Sequence, residues 1–375
     1  MGDKLERNIV GCRLHKNKAA KMDRTMEEEQ PDIIEEAPVS TVFVPPSIHR
    51  DDLLSGNSYS HYTPIPSLIR PSITSNESND DDSAGTECVL GVDEAGRGPV
   101  LGPMIYGAFY LPIELHHSLL ASTYHFDDSK VLTPIVRANL TKAVCSEGSD
   151  LHKSCGWSIK SLSARDIGAG MLKNGGSYNL NAQAMDATIE IIRGVIDQGI
   201  NVREVYIDTI GNPAAYQKKL ERVFPTLKIR VEKKADSLFP CVSAASVVAK
   251  VTRDVSCELL YEEYARLGGQ QAIVTAGAVW GSGYPSDARC VNWLKSDLNP
   301  LFGFGNECRF SWGTIKDLME LKGSGGLKVD WPADQDEENT LLSEYFMAGP
   351  SGGRANTESD QLRTWFGTSV GQEAF

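Results

Sequence analysis

The sequence has no apolar run long enough to cross a membrane. No stretch of about 18 apolar residues occurs in the chain, and residues 1–18 lack the apolar core of a secretory signal. Hydrophobic residues make up 41% of the 375 residues, as is usual for globular proteins. We therefore expect an intracellular protein without a membrane partner.

Cysteine pairs of the kind that hold zinc are also missing. The eight cysteines are scattered, and no two are spaced as CxxC or grouped with histidines. Because thiols stay reduced inside cells, we expect neither a structural zinc site nor a disulfide framework. The cysteines are interpreted mainly as small, buried apolar side chains.

An overall excess of positive charge, typical of proteins that bind nucleic acids, is absent too. The net charge is −13, but residues 1–86 carry −6 and residues 321–375 carry −5, which leaves −2 for residues 87–320. Seven basic residues cluster between Lys218 and Lys234. Because the local field governs phosphate binding, the acidic total does not exclude a polyanionic substrate.

The two ends of the chain differ in composition from its centre. Residues 1–86 are rich in proline, acidic and polar residues, and residues 322–375 contain glycine-rich and acidic segments. We predict a disordered N-terminal tail over 1–86, an ordered domain with C-terminal helices over 87–321, and a flexible acidic tail over 322–375. The basic stretch 16–24 is either a nuclear import signal or part of a solvated tail.

Hydrophobic patterning in the central region predicts an α/β fold. Strand character occurs in five segments, of which the first two are expected to be antiparallel neighbours: 89–93, 104–111, 156–163, 203–208 and 227–232. Helical spacing occurs in six segments: 133–145, 181–198, 216–224, 240–267, 287–298 and 312–321. The first half of the longest helix is small and apolar, which favours close packing on a sheet.

Four carboxylates stand at the ends of these predicted elements: Asp93, Glu94, Asp208 and Asp236. Taken singly, each has a simpler explanation, namely a solvated turn, or a helix cap in the case of the last two. Because α/β folds place their sites at such ends, the four together indicate a common site. Converging carboxylates favour a hard divalent cation, and two such ions can activate water and clamp a phosphodiester.

A glycine-arginine-glycine turn follows the first two acids. Gly96, Arg97 and Gly98 would leave backbone amides unshielded beside a guanidinium. This arrangement suits a phosphate or a sugar hydroxyl. Without further context, a surface turn explains the tripeptide equally well.

Seven segments carry a resemblance to a known family: Gly91-Val-Asp-Glu-Ala-Gly-Arg-Gly-Pro, Asp128-Ser-Lys, Tyr178-Asn-Leu-Asn, Ile207-Asp-Thr, Lys234-Ala-Asp, Val242-Ser-Ala-Ala-Ser-Val-Val-Ala-Lys-Val-Thr-Arg-Asp and Gly281-Ser-Gly-Tyr-Pro-Ser-Asp. Their identity and order resemble type 2 ribonucleases H over about residues 87–320. Cys88-Val-Leu-Gly-Val-Asp-Glu and Phe310-Ser-Trp look most similar to the eukaryotic catalytic subunit.

The resemblance implies a fold, an activity and a set of partners. The fold is a ribonuclease H-like α/β fold, a central mixed sheet flanked by helices with a helical C-terminal extension. The implied activity is hydrolysis of the RNA strand of RNA/DNA hybrids and cleavage 5′ to single ribonucleotides in duplex DNA, leaving 3′-hydroxyl and 5′-phosphate ends. Mg²⁺ is the implied cofactor, with Mn²⁺ as a substitute. Two accessory subunits in a heterotrimer and a nuclear, and also cytoplasmic, location are implied as well.

The resemblance also assigns roles to individual residues. Asp93, Glu94, Asp208 and Asp236 match the metal-binding carboxylates. The Gly96–Gly98 turn matches the element that reads the ribose 2′-hydroxyl, the group that distinguishes RNA from DNA. Further substrate contacts are implied for five residues: Tyr284, Lys130, Asn181, Lys250 and Arg253.

Some of these contacts have alternatives. Tyr284 matches a tyrosine that packs on the sugar next to the ribonucleotide, but without the resemblance a hairpin tyrosine before Pro285 is the favoured interpretation. Lys250 and Arg253 lie three residues apart and share a helix face, which suits phosphate contacts. Arg253 could instead pair with an acid on its own helix. The loop over 268–277 is longer and more apolar than in the family, which could alter the presentation of Tyr284.

Two other functions remain open from the sequence. A related nuclease or strand-transfer enzyme on the same fold would need the four acids but neither the glycine turn nor Tyr284. A non-catalytic nucleic-acid-binding or scaffold protein would be favoured by a missing carboxylate, and all four are present.

Overall fold

The computed structural model describes residues 43–71, 85–126, 132–172, 178–209, 211–267 and 280–320. The chain divides into two units, residues 1–44 and 45–375, and all elements below lie in the second. The basic stretch 16–24, Lys130, the loop 268–277 and the tail 322–375 lie outside the described residues.

A six-stranded mixed sheet forms the centre of the described region. Its strands are β1 (Tyr59–Tyr62), β2 (Glu87–Ala95), β3 (Met104–Pro112), β4 (Gly156–Leu162), β5 (Asn201–Asp208) and β6 (Lys228–Glu232), in the spatial order β1-β4-β3-β2-β5-β6. The β1, β4, β3 and β2 neighbours are antiparallel, whereas β2, β5 and β6 run parallel. The five predicted strands and the antiparallel β2–β3 pair are confirmed.

Helices cover both faces of the sheet. They are α1 (Arg50–Leu54), α2 (Pro134–Cys145), α3 (Asp150–Ser154), α4 (Ala164–Met171), α5 (Leu180–Asp197), α6 (Pro213–Val223), α7 (Pro240–Leu267), α8 (Ala288–Asp297) and α9 (Gly313–Glu320). The six predicted helices are confirmed to within a few residues. Side-chain caps define several starts, since Thr133, Asn179 and Asn212 each accept a backbone N–H of the first turn.

Adjacent residues of β2 point into two different cores. Val89 packs with α7 residues such as Val247 and Val248, whereas Leu90 packs with Ile191 of α5 on the other face. A strand buried on both faces reads as a continuous apolar run, and the sequence of β2 has this pattern.

Helix α7 packs closely on the sheet because the facing residues of the helix and of the strands have small side chains or none. A Cβ atom on Gly91 would lie 2.3 Å from the carbonyl carbon of Cys241, and one on Gly107 would lie 2.5 Å from the Ala245 oxygen. Such distances are far below contact separation, so only glycine permits this approach. The close packing fixes the helix that carries Lys250 and Arg253 beside the end of β2.

The prediction of disorder over residues 1–86 is wrong for residues 45–71. This segment forms α1 and β1, and β1 extends the sheet by pairing with β4. Tyr59 is buried, and the buried hydroxyl of Ser47 lies 2.8 Å from that of Thr252 in α7. The segment is ordered by contacts with distant parts of the chain, which its own composition does not reveal. Residues 1–42 and 72–84 lie outside the described residues.

The described residues include no helix that is both long and apolar enough for a membrane span. Seven cysteines fall within the described residues, all as free thiols, and five of them are buried: Cys88, Cys155, Cys241, Cys290 and Cys308.

Candidate active site

The parallel pair β2–β5 brings three of the four predicted acids to the carboxyl ends of two neighbouring strands. The register pairs Val92 with Ile207, so Asp93 and Glu94 follow on β2 where Asp208 ends β5. Parallel strands expose their carboxyl ends on the same side, which is where α/β folds hold ligands. The register of the two strands therefore brings acids that are more than 100 residues apart in sequence close together in space.

Asp236 lies at the same end of the strands, on a short 3₁₀ helix, Ala235–Ser237, which follows β6. The Asp208 carboxylate accepts the backbone N–H of Ala235 at 2.9 Å, so it anchors the turn that carries the fourth acid. Lys234, which precedes this turn, has φ +58°, a conformation that costs energy for a residue with a Cβ. The fourth acid is thus held by backbone geometry as well as by packing.

All four acids line one cavity of about 850 Å³. Asp93 and Asp236 are buried, with 5% and 3% exposure, while Glu94 and Asp208 are half-buried. Within the described part of the chain, no three His, Cys, Asp or Glu side chains are grouped tightly enough to form a complete ligand set. Carboxylates that share a cavity repel each other, and a cation bound among them would offset that repulsion.

The pKa values of the two acids on β2 are raised mainly by burial, with repulsion from neighbouring carboxylates as a smaller cause. Burial, reinforced by the charges of Glu94 and Asp208, raises the pKa of Asp93 well above its usual value. Burial also raises the pKa of Glu94 to about 7, although Arg97 acts in the opposite direction. Both side chains therefore hold protons more tightly than ordinary carboxyls, and a nearby cation would release those protons.

Lys250 of α7 lies beside the acids. Its ammonium donates to the Ser246 hydroxyl at 2.6 Å, and its charge lowers the pKa values of both Asp93 and Glu94. Lys250 lines the same cavity as the acids. A lysine in this place contributes a positive charge at the point where a phosphate would meet the carboxylates.

The glycine turn forms the wall of this cavity next to the acids. Gly96 has φ +78°, and a Cβ on it would lie 2.7 Å from the carbonyl oxygen of Pro103. A Cβ on Gly98 would lie 3.1 Å from the ring of Tyr284. The turn therefore needs glycine for its backbone conformation and for its contact with Tyr284.

Arg309 and Trp312 hold this turn from behind. Arg309 is not among the site residues predicted from the sequence. The Arg309 guanidinium is fully buried and donates to the carbonyl oxygens of Gly96, Arg97 and Gly102 at 2.6, 3.0 and 3.0 Å. It also stacks over the Trp312 ring at 4.9 Å, and the Trp312 indole N–H donates to the Gly98 oxygen at 3.0 Å. The one available signal was its position, directly before Phe310-Ser-Trp.

Arg253 takes the alternative role that the sequence left open. It is nearly buried, pairs with Asp254 at 3.0 Å and donates to the Ser282 carbonyl at 2.6 Å. Its guanidinium lies 5.9 Å from the centre of the Tyr284 ring. Arg253 lines the cavity, but these contacts direct it toward supporting the loop that presents Tyr284.

The structure places the remaining predicted contacts as follows. Tyr284 is exposed at the rim of the cavity, and its loop is joined to the glycine turn by a 2.9 Å bond from Val100 N–H to the Gly283 oxygen. Asn181, in the first turn of α5, accepts a hydrogen bond from Arg97. Lys130 lies outside the described residues.

Comparison with known proteins places the chain among ribonucleases. A family model described as ribonuclease HII matches residues 90–315. The A subunit of ribonuclease H2 from Neurospora crassa is 53% identical over 89% of this chain and 97% of its own length. The proteins of the same name from Schizosaccharomyces pombe and Homo sapiens are 42% and 38% identical, over 88% and 69% of this chain and 90% and 82% of theirs. The crystal structure of ribonuclease H2 from Pyrococcus horikoshii is 27% identical, with a TM-score of 0.47, over 61% of this chain and 96% of that one.

Proposed function

We propose a substrate and a site chemistry for this chain from the premise that it belongs to the ribonuclease HII family, is a ribonuclease and has the ribonuclease H-like α/β fold. The proposed substrates are RNA/DNA hybrids, of which the RNA strand is cut, and duplex DNA with single embedded ribonucleotides. Cleavage falls 5′ to the ribonucleotide and leaves 3′-hydroxyl and 5′-phosphate ends.

One observation carries this proposal: the four carboxylates and the Gly96–Gly98 turn line the same cavity. Hydrolysis of a phosphodiester needs the acids, and selection of RNA needs a group that contacts the 2′-hydroxyl. A cavity that places the acids and a 2′-hydroxyl contact within reach of one nucleotide can distinguish ribose from deoxyribose and hydrolyse the adjoining phosphodiester bond.

The donor set fits a divalent cation, for which we propose Mg²⁺ with Mn²⁺ as a substitute. Asp93, Glu94, Asp208 and Asp236 offer only oxygen atoms, and the pKa values of the first two are raised by burial and, to a smaller extent, by neighbouring carboxylates. Mg²⁺ is usually held by one or two carboxylates, waters and substrate phosphates, so a closed protein cage is not required. When bound there, such ions would activate water and neutralise charge on the phosphate.

The chain's own groups would orient the substrate. Backbone groups of Gly96 and Gly98 would contact the ribose, because no Cβ shields them, and Tyr284 beside Gly98 would pack against the neighbouring sugar. Lys250 would offset phosphate charge beside the acids. Arg309 touches no part of this space and acts by fixing the turn.

Cleavage of a matched set of duplexes tests the proposal. With Mg²⁺, the wild-type protein should cut a duplex that carries one ribonucleotide and leave the all-DNA duplex intact. Asp93→Asn should lower the rate by at least about 10³-fold with little change in melting temperature, since it removes a proposed ligand.

Three results would contradict parts of this proposal. Full activity of Asp93→Asn removes the metal role of that residue. Equal cleavage of the all-DNA duplex indicates the related nuclease or strand-transfer enzyme instead. Cleavage of long hybrids but not of the single ribonucleotide removes the embedded-ribonucleotide substrate.

We further propose that the chain works as the catalytic member of a heterotrimer in the nucleus. The names of the relatives above designate one subunit of ribonuclease H2, which supports a complex with other chains. Ribonucleotide excision and RNA primer removal during DNA replication and repair are the roles that suit the proposed substrates. The cleavage assay is therefore best run with and without co-expressed partner subunits.

A further inference from the structure

A second cavity adjoins the first at the carboxyl ends of β2 and β5. It measures about 550 Å³ and shares Glu94, Arg97 and Asp208 with the cavity described above. Its outer part is bounded by α5 and α6 and includes Tyr216 and Lys219. The three shared residues stand where the two cavities meet, so one strand of nucleic acid can pass from one cavity into the other.

The direction of the strand follows from the proposed function, on which this inference rests. If the ribonucleotide is read at Gly96–Gly98 and the bond on its 5′ side is cut at the acids, the ribonucleotide and Tyr284 occupy the first cavity. The nucleotides on the 5′ side of the cleaved bond must then continue away from Tyr284. The second cavity adjoins the acids and is not lined by Tyr284, so it can take those nucleotides.

We propose that this second cavity binds the sugar–phosphate backbone immediately 5′ to the cleaved bond, with Lys219 as a phosphate contact. Ala215, Tyr216 and Lys219 lie on one face of α6 by their spacing, and all three line the cavity. Lys219 is exposed, and among the described residues no carboxylate lies within ion-pair distance of it. Its charge is therefore available to a ligand.

Other groups of the cavity suit a polyanionic backbone. Helix α6 begins at the cavity, with the Asn212 side chain capping it through Ala215 N–H at 3.2 Å, so its positive end faces the proposed strand. The Tyr216 hydroxyl is fixed 2.8 Å from that of Thr188. Three carboxylates also line the cavity, Glu94, Asp186 and Asp208. Glu94 and Asp208 are proposed metal ligands, so bound cations would offset their charge, while Arg97 and Lys219 offset that of Asp186.

Lys218 provides a matched control. It is exposed on the same helix, one residue from Lys219, but it does not line the cavity. The two substitutions Lys219→Ala and Lys218→Ala thus remove the same charge from the same helix. They differ in whether that charge faces the proposed strand.

The test uses two ribonucleotide-containing duplexes, one with long flanks and one whose cleaved strand has a single nucleotide 5′ to the ribonucleotide. On the long duplex, Lys219→Ala should raise KM about threefold to tenfold with kcat nearly unchanged, and lower the salt dependence of binding by about one phosphate contact. Lys218→Ala should match the wild type on both duplexes. Lys219→Arg should restore KM, and on the short duplex Lys219→Ala should also match the wild type.

Equal KM values for Lys219→Ala and Lys218→Ala on the long duplex would overturn the inference, as would a defect that persists on the short duplex. Fluorescence anisotropy of the same duplexes without divalent metal measures binding independently of cleavage. If the wild type cuts neither duplex, the proposed function fails, while the anisotropy difference between the two lysine variants still decides the role of Lys219.

Discussion

Arg309 is a guanidinium enclosed entirely by protein. Burial lowers its pKa to about 9, so its charge is maintained near neutral pH but at a cost in solvation. Its contacts among the described residues are carbonyl oxygens and an aromatic ring rather than a carboxylate. A planar fork can serve several carbonyls at fixed angles, which an ammonium cannot.

Replacing Arg309 should therefore disturb the glycine turn more than the fold. Arg309→Gln cannot reach all three carbonyls with its shorter side chain and two N–H donors, and should lower the free energy of unfolding by about 2–4 kcal/mol. Arg309→Lys keeps the charge but not the fork, so it should be more stable than Arg309→Gln yet lose about 10-fold or more in kcat/KM on the single-ribonucleotide duplex. Thermal melts and cleavage kinetics measure both effects.

The exposed Arg222 of α6 is the control for this pair. Arg222→Gln should leave stability and kinetics near the wild type, because its side chain is solvated. Wild-type kinetics in Arg309→Lys would show that the turn does not depend on the guanidinium fork.

The raised pKa values of Asp93 and Glu94 give a second prediction at this scale. Because the folded protein binds these protons more tightly than the unfolded chain, their stabilising effect is complete at low pH and is lost as pH rises through the pKa of Glu94, about 7. In EDTA, the melting temperature should therefore fall between pH 5.5 and 8, and it should fall less in Glu94→Gln. Equal falls in both proteins would rule out this assignment.

Divalent cations should reverse the trend, since they compete with protons for the same oxygens. The apparent affinity for Mg²⁺ or Mn²⁺ should rise with pH through the pKa of Glu94, about 7, with protons released on binding. Calorimetry in buffers of different ionisation enthalpy measures that release.

At the scale of elements, β1 shows what a short strand contributes when it closes a sheet edge. It covers β4, and the segment before it reaches α7 through Ser47 and Thr252. Removing β1 would expose the backbone groups of β4 to water or to another chain.

Two truncations separate this contribution from that of the preceding residues. Deletion of residues 1–71 removes α1 and β1, whereas deletion of residues 1–44 retains both. We expect the longer deletion to lower the melting temperature by several degrees relative to the shorter one, and to increase aggregation in light scattering. Equal melting temperatures would show that β1 adds nothing to stability.

The contrast between β1 and the other strands shows how much of the fold can be predicted from the sequence. The strands β2 and β5 were predictable because each carries apolar, β-branched or aromatic residues directly before a carboxylate, Val89 to Val92 before Asp93 and Val205 to Ile207 before Asp208. The segment before residue 72 is polar and proline-rich, and its order depends on partners about 100 residues away in sequence, such as Ser161 opposite Tyr59. Local composition contains no record of such pairing.

At the scale of the whole molecule, the acids of the site were predictable and their supports were not. Asp93 and Asp208 stand at strand ends in the sequence, so the topology alone brings them together. Arg309 lies more than 200 residues from the turn it holds. Lys219 lines one cavity with Glu94 and Asp208 only because α6 packs beside the ends of β2 and β5. Residues that touch reactive groups leave local patterns, whereas residues that act through other residues leave few.

One of the two edge strands of the sheet is β6, and its side chains limit how copies of this chain, or other chains, can pair with it. The strand has five residues, and Lys228 and Arg230 are exposed on it, each bridged to a glutamate. A brief edge lined with ions resists the addition of a further strand, because pairing would strip water from those ions. The strand at the opposite edge is β1. Extension of the sheet into another molecule through β6 is therefore disfavoured.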